Sequence, residues 1–325
     1  MYNTYYRVIT DEKRIEGDKL NRHALVTGLK RHWQMYVFAL FPFVYLIVFK
    51  YIPMLGIQIA FKDFTMAGGI YHSQWVGLYQ FAKFFKSYQF QRVLVNTITL
   101  SFYSLIAGFP LPITLALMMN ALRSRHLRGF VQNVTYMPHF ISTVVMVGIL
   151  NQFFNTKVGT FSHIWHLFFS TDVPELLASA TAFTHMYVWS GIWQGMGWDS
   201  IIYMAALTNV DKTLHEAAMI DGASRFRRMV CIDLPAIIPT ISIMLILRCG
   251  RLMGIGFEKV FLMQNNLNLR ASEVISTYVY KVGLQSSSSD FSYSTAIGLF
   301  NSIVNFTLLL TVNTISRRVG ESSLW

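Results

Sequence analysis

Charged residues are missing from this chain over lengths that match the thickness of a bilayer. Apolar runs occupy residues 33–59, 93–119, 131–154, 181–207, 236–263 and 291–315, and each exceeds the roughly 20 residues needed to cross the hydrocarbon. Inside lipid every backbone N–H and C=O must find its partner within the segment, which leaves helices or a closed barrel. Runs this long without alternation are helical. The predicted fold is therefore all-α, with about six transmembrane helices. Composition agrees, since Asp, Glu, Lys and Arg make up 13% of the chain where a soluble domain carries about 25%.

The formal net charge of +11 falls largely on short connections, and no soluble basic domain exists to hold a nucleic acid. Residues 1–33 hold seven Lys or Arg and four Asp or Glu and read as a cytoplasmic N-terminal segment, ahead of a transmembrane domain over 34–325. They lack the pattern of a cleavable signal peptide. The connection 120–130 has Arg123, Arg125 and Arg128 and no acid, and Arg317-Arg318 follow the last run. The positive-inside rule places these ends, and both termini, in the cytoplasm. Outer connections are then 60–92, 155–179 and 264–290, with Trp75-Val76-Gly77-Leu78-Tyr79-Gln80-Phe81 as interfacial aromatics. Pro110 and Pro112 predict a bend in the second span. Cys231 and Cys249 are too few and too separated for a disulfide framework. His163 and His166 lack neighbouring Cys or carboxylates and read as interfacial aromatics, so no metal site is expected.

One connection, 208–235, is different in kind. Thr213 and Glu216 stand in the relation of a capping box. Ala217 and Ala218 favour helix and leave the backbone approachable. Gly222 is placed to end that helix in the left-handed region, and Pro235 suits the first turn of another. Arg225, Arg227 and Arg228 stand against Asp221 and Asp233. A polar helix-turn between two membrane spans, on the basic side, is a docking element.

The phrase Glu216-Ala217-Ala218-x3-Gly222-x9-Ile232-x-Leu234-Pro235 resembles the signature loop of the membrane-spanning permease subunits of binding-protein-dependent ABC importers. Phe257-Glu258-Lys259-Val260-Phe261, Ser276 to Leu284, Tyr293 to Phe300, Asn313 and Ser323-Leu324-Trp325 look like the polysaccharide-type subgroup of that family. Members of the subgroup import oligosaccharides, including uronic-acid polymers, and the chain looks most like a permease subunit of an alginate importer. The resemblance implies a coupling helix docked in a groove of a cytoplasmic ATPase subunit, with Glu216, Ala217, Ala218, Asp221, Gly222, Leu234 and Pro235 carrying the contact. It also implies two ATPase subunits, which bind ATP and Mg so that this chain holds no cofactor. A second, related permease, an external substrate-binding protein and a bacterial inner-membrane location complete the expectation.

Charges inside spans are costly and face protein or water. Arg248, Arg251, Glu258 and Lys259, read as one helix, fall within an arc of about 100°. Three readings stand: a translocation wall whose arginines pair an acidic sugar, an internal ion network such as Arg251 with Glu258, or interfacial solvation of Glu258 and Lys259. Gln194, Asp199 and Trp193 in the fourth span join as weaker path candidates, Trp193 and Trp198 as rings that match a pyranose face.

No phosphate-binding loop, G-x-S-x-G elbow or H-E-x-x-H helix occurs, so no catalytic residue is assigned and an enzyme is not expected. The alternatives are an ion-gradient-driven carbohydrate transporter, which would often show paired inverted repeats, and a membrane-embedded glycan enzyme resting on Asp199 and Glu258.

Overall fold

The computed structural model describes residue 31, residues 33–286 and residues 289–319. Most of the N-terminal segment, the middle of the Ser286–Ser289 run and the closing Ser323-Leu324-Trp325 lie outside the described residues. The chain divides into a first unit ending at Gln58 and a second beginning at Ile59. The described part of the first unit is nearly all in the helical run α1 (Trp33–Phe61), whose last three residues open the second. Its side chains are mostly apolar and, from Trp33 to Leu55, exposed, as a helix wetted by lipid requires.

The second unit opens with a small antiparallel hairpin, β1 (Lys62–Asp63) and β2 (Gln74–Trp75), pairing Lys62 with Trp75. The amphipathic α2 (Tyr79–Lys86) follows. Next comes α3 (Tyr88–Ala121), capped by the Ser87 hydroxyl, which accepts from the Phe90 N–H at 3.2 Å. Pro110 and Pro112 sit in the first turn of a new helix segment that starts after a turn at Phe109, where their missing N–H groups are tolerated, and the two segments together form one long apolar run. Arg125–Phe140 (α4) and Thr143–Phe153 (α5) meet at 97°. Half of the predicted basic connection is thus the first turns of α4, and the third span is broken rather than straight. The predicted outer connection 155–179 contains α6 (Thr160–Phe168).

Helix α7 (Ala180–Leu207) has 28 residues, about 42 Å at 1.5 Å per residue. It is the axis of the unit and packs against α3, α4 and the later helices. Gly197 allows its closest approach, since a Cβ there would collide with the Thr135 carbonyl of α4. Beyond it lie α8 (Lys212–Ile220), α9 (Arg225–Ala236) and α10 (Ile238–Cys249), the last two bent by 61°. Pro235 is near the end of α9, and Pro239 occupies the first turn of α10 instead. After Gly250 the chain leaves the helix and resumes as α11 (Phe257–Met263), α12 (Ile275–Tyr280) and α13 (Phe291–Val319).

The six predicted spans therefore correspond to six helical stretches of unequal kind. Helices α1, α3 and α13 are long apolar runs, α4–α5 and α9–α10 are bent pairs, and α7 is long but studded with polar groups. Three apolar clusters bind the second unit from end to end. One joins Phe84, Val93, Ile275, Tyr278 and Ile297. Another joins Leu100, Val147, Phe183, Val260 and Val274. The third joins Ile113, Leu117, Tyr203, Leu207 and Ile237.

Two expectations need correction. The stretch 264–290 is no free outer loop: Val274, Ile275 and Tyr278 are buried, and Ile275 N–H donates to Thr97 Oγ1 at 3.0 Å. Glu273, 2% exposed, pairs with Arg92 and with Lys281. The span 236–263 likewise is not one helix. Gly250 presses against Leu309 of α13, 2.6 Å from where its Cβ would stand, and the chain turns there.

Candidate functional site

Two places in the second unit carry chemistry that the packing does not need. The first is the connection between α7 and α10. Asp211, not Thr213, caps α8, its carboxylate accepting from the Thr213 N–H at 2.9 Å. That N–H holds the Asp211 carboxyl below the usual range. The capping box expected of Thr213 and Glu216 does not form. The other end of α8 stops as predicted. Gly222 has φ +73°, its N–H reaches the Met219 carbonyl at 3.1 Å, and the Ala223 N–H reaches the Ala218 carbonyl at 2.8 Å. This is the six-to-one and five-to-two pairing of a Schellman stop.

None of α8 is buried, although Leu214, Met219 and Ile220 (88% exposed) are apolar, as is Phe226 at 70%. Such a patch on a polar connection marks an interaction surface. Glu216 and Ala217 are exposed. Ala218 and Asp221 edge a cavity of about 270 Å³ that is completed by Arg227, Arg228 and Cys231. Asp221 forms no ion pair with the arginines among the described residues. Asp233, 3% exposed, instead joins three elements: His215 Nε2 of α8 lies 3.1 Å from its carboxylate, and Asn120 Nδ2 of α3 donates to it at 3.2 Å. Sequence reasoning missed this node because its partners are 18 and 113 positions away.

The second place lies between α3, α7 and α10. Two adjoining cavities, of about 240 and 440 Å³, share Ser104, Tyr187, Asp199 and Arg248. Asp199 and Arg248 form an ion pair across them. Burying such charges is worthwhile only when each meets its counterpart. Gly108, Gly191 and Gly195 face the smaller cavity. Their missing side chains make room for charge: a Cβ on Gly108 would stand 3.7 Å from Arg248 Nη1, and one on Gly195 3.9 Å from Asp199 Oδ2. Gln194 lines the same cavity and donates to the Ile141 carbonyl at 2.7 Å. That carbonyl is freed by the break between α4 and α5, so the glutamine heals the bend.

Four of the six path candidates, Gln194, Asp199, Arg248 and Arg251, line these cavities, whereas Trp193 and Glu258 do not. The four charges of 248–259 are not one stripe, because Arg248 is on α10, Arg251 in the turn and the other two on α11. Arg251 and Glu258 form no pair; the ion pair present is the one with Asp199. Trp198 stacks on His139 at 4.4 Å with rings 3° from parallel, so one of its faces is already covered. Lys259 lines the smaller cavity together with Arg248, so these two of the span-five charges share a cavity although the turn puts them on different helices. Among the described residues no three His, Cys, Asp or Glu side chains gather.

A permease built on these elements defines the class. The chain belongs to the family of binding-protein-dependent transport system inner membrane components, whose model matches residues 108–321. It is similar to protein LplB of Bacillus subtilis, with 39% identity over 92% of this chain and 93% of that one. It is 38% identical to the polygalacturonan/rhamnogalacturonan transport system permease protein YteP of the same organism, over 94% and 95% of the two chains. The crystal structure of a bacterial ABC transporter involved in import of the acidic polysaccharide alginate superposes with a TM-score of 0.82. Its identity is 37%, covering 91% of this chain and 99% of that one. The chain is thus a transport subunit and not an enzyme.

Proposed function

We propose that this chain is one of two permease subunits of an ATP-driven importer of oligo- or polysaccharides, and that acidic polymers are its substrates. The observation that carries the reading is α8: a self-capped helix that leaves its apolar residues uncovered and ties into the spans through Asp233. In a member of this family that surface suits a cytoplasmic ATPase subunit. Ala217 and Ala218 allow close approach, Glu216 and Asp221 provide polar contact, and Gly222 fixes the stop. Leu234 and Pro235 carry the chain toward the bend. ATP and Mg are bound by two such ATPase partners. Arg123, Arg125, Arg128 and Arg317-Arg318 set the same side, and with it both termini, in the cytoplasm.

The cavities along α7 are then this subunit's share of the pathway, completed by a related second permease. An external binding protein delivers the sugar, as in the alginate importer solved with a pentasaccharide-bound periplasmic protein. Acidic cargo is supported by the excess of cations lining the cavities and by the acidic polysaccharide that the neighbouring transporter imports. The test is ATP hydrolysis and uptake by the reconstituted complex. Gly222→Asp should leave the subunit inserted and assembled while uptake falls at least tenfold. Normal uptake by an assembled Gly222→Asp complex would overturn the coupling role.

A further inference from the structure

Lys259 is a cation for which the fold supplies no counter-charge. Its ammonium lines the smaller cavity, donates to the Tyr187 carbonyl at 2.9 Å and lies 4.9 Å from the centre of the Tyr187 ring. No carboxylate lies within ion-pair distance of it among the described residues. Facing it is Gly191, where a Cβ would stand 3.1 Å from Nζ and nothing else approaches. The glycine therefore keeps a part-buried ammonium open to the cavity. A cation held this way is stabilised when an anion joins it.

Arg248 is in a different situation, because Asp199 already occupies it. Arg251 lines the larger cavity, and its guanidinium has no hydrogen-bond or ion-pair partner among the described residues. The lining thus holds Lys259, Arg248 and Arg251 against Asp199 alone. Two unmatched positive charges flank one matched pair.

We infer that Lys259 determines specificity by binding a substrate carboxylate, with Arg251 receiving a second acidic unit beyond the Asp199–Arg248 partition. The inference rests on the reading that these cavities carry the sugar. It places discrimination between acidic and neutral chains inside the permease, downstream of delivery. The planar fork of Arg251 suits a carboxylate held in two bonds, while the Lys259 ammonium acts as a point charge that accepts a unit in any rotation.

The experiment uses the complete reconstituted complex, with oligogalacturonates and carboxyl-reduced oligosaccharides of the same length as probes. In Lys259→Gln the KM for oligogalacturonate uptake should rise about tenfold or more, the size of one charge-assisted hydrogen bond. The KM for the reduced sugars should stay level or fall, and Lys259→Arg should restore the acidic preference. Equal changes for both sugars, or none for either, would overturn the inference. Should Lys259→Gln fail to assemble, Gly191→Ala crowds the ammonium while keeping its charge, and must raise the KM for the acidic sugar alone. Gly195→Trp tests the underlying reading separately, since it fills the smaller cavity. Normal uptake in that variant removes the path and the inference together. Uptake blocked in Gly195→Trp with Lys259→Gln indifferent removes the inference only.

Discussion

The two long connections of the second unit, 208–237 between α7 and α10 and 250–290 between α10 and α13, solve opposite problems. The second is buried by its own side chains: Val274 enters one apolar cluster, Ile275 and Tyr278 another, and Glu273 holds Arg92 and Lys281. The first buries almost nothing of α8 and spends its side chains on caps, leaving Leu214, Met219, Ile220 and Phe226 uncovered. One connection finishes the fold. The other leaves an apolar face open. Charge alone does not separate them, because both carry it; what separates them is whether their apolar side chains are covered.

That contrast breaks first at Glu273. Replacing it with Ala removes the buried carboxylate that Arg92 and the half-exposed Lys281 share, and thermal unfolding in detergent should show a loss of about 2–3 kcal/mol. A change below about 1 kcal/mol would mean that 250–290 is held no more tightly than 208–237. Gly222→Ala should cost about 1–2 kcal/mol through the left-handed backbone alone, since a Cβ there meets nothing. Gly222→Asn should cost less, and a greater loss than Gly222→Ala would contradict a purely local stop.

Asp211→Ala should have a smaller effect still, seen as fraying of α8 in hydrogen exchange, with Asp211→Asn retaining the cap. Because the folded carboxyl titrates below its unfolded value, its contribution is present above the unfolded value and is lost only as pH falls through the lower, folded one. Protection of α8 should therefore be flat from neutral to mildly acidic pH; fraying that begins near neutrality would contradict the cap. At the bottom of the stability scale, Ile220→Asp should change unfolding by less than about 0.5 kcal/mol. On the transport scale the order reverses. Ile220→Asp should sharply reduce retention of the ATPase subunits in purification, and full retention would show that the exposed patch is not their docking surface.

What the sequence made legible was local or compositional. Helix-forming runs, the Gly222 stop and the basic ends follow from neighbours in the chain, and the structure keeps the first two. The cap was misplaced by two residues, because Asp211 accepts from the Thr213 N–H itself and the helix starts earlier than Thr213. The path was only partly legible. Arg248 and Asp199 stand out as charges in apolar runs, but their pairing spans 49 positions. The break at Gly250 depends on Leu309, nearly 60 residues on. A helical wheel cannot register either, so Glu258 was drawn into a stripe from which the turn at 250–256 removes it.

The bend between α9 and α10 has a consequence in simple lever arithmetic. The pivot, Ile237, is fully buried among Ile113, Ala116 and Tyr203, and Arg248 is eleven residues along α10. At 1.5 Å per residue that arm is about 16 Å long, so a rotation of roughly 10° at the pivot swings the guanidinium by about 3 Å. That stroke is the width of a hydrogen bond. A turn of α10 small enough to leave every helix intact is therefore large enough, at the far end of the crank, to unlatch Arg248 from Asp199.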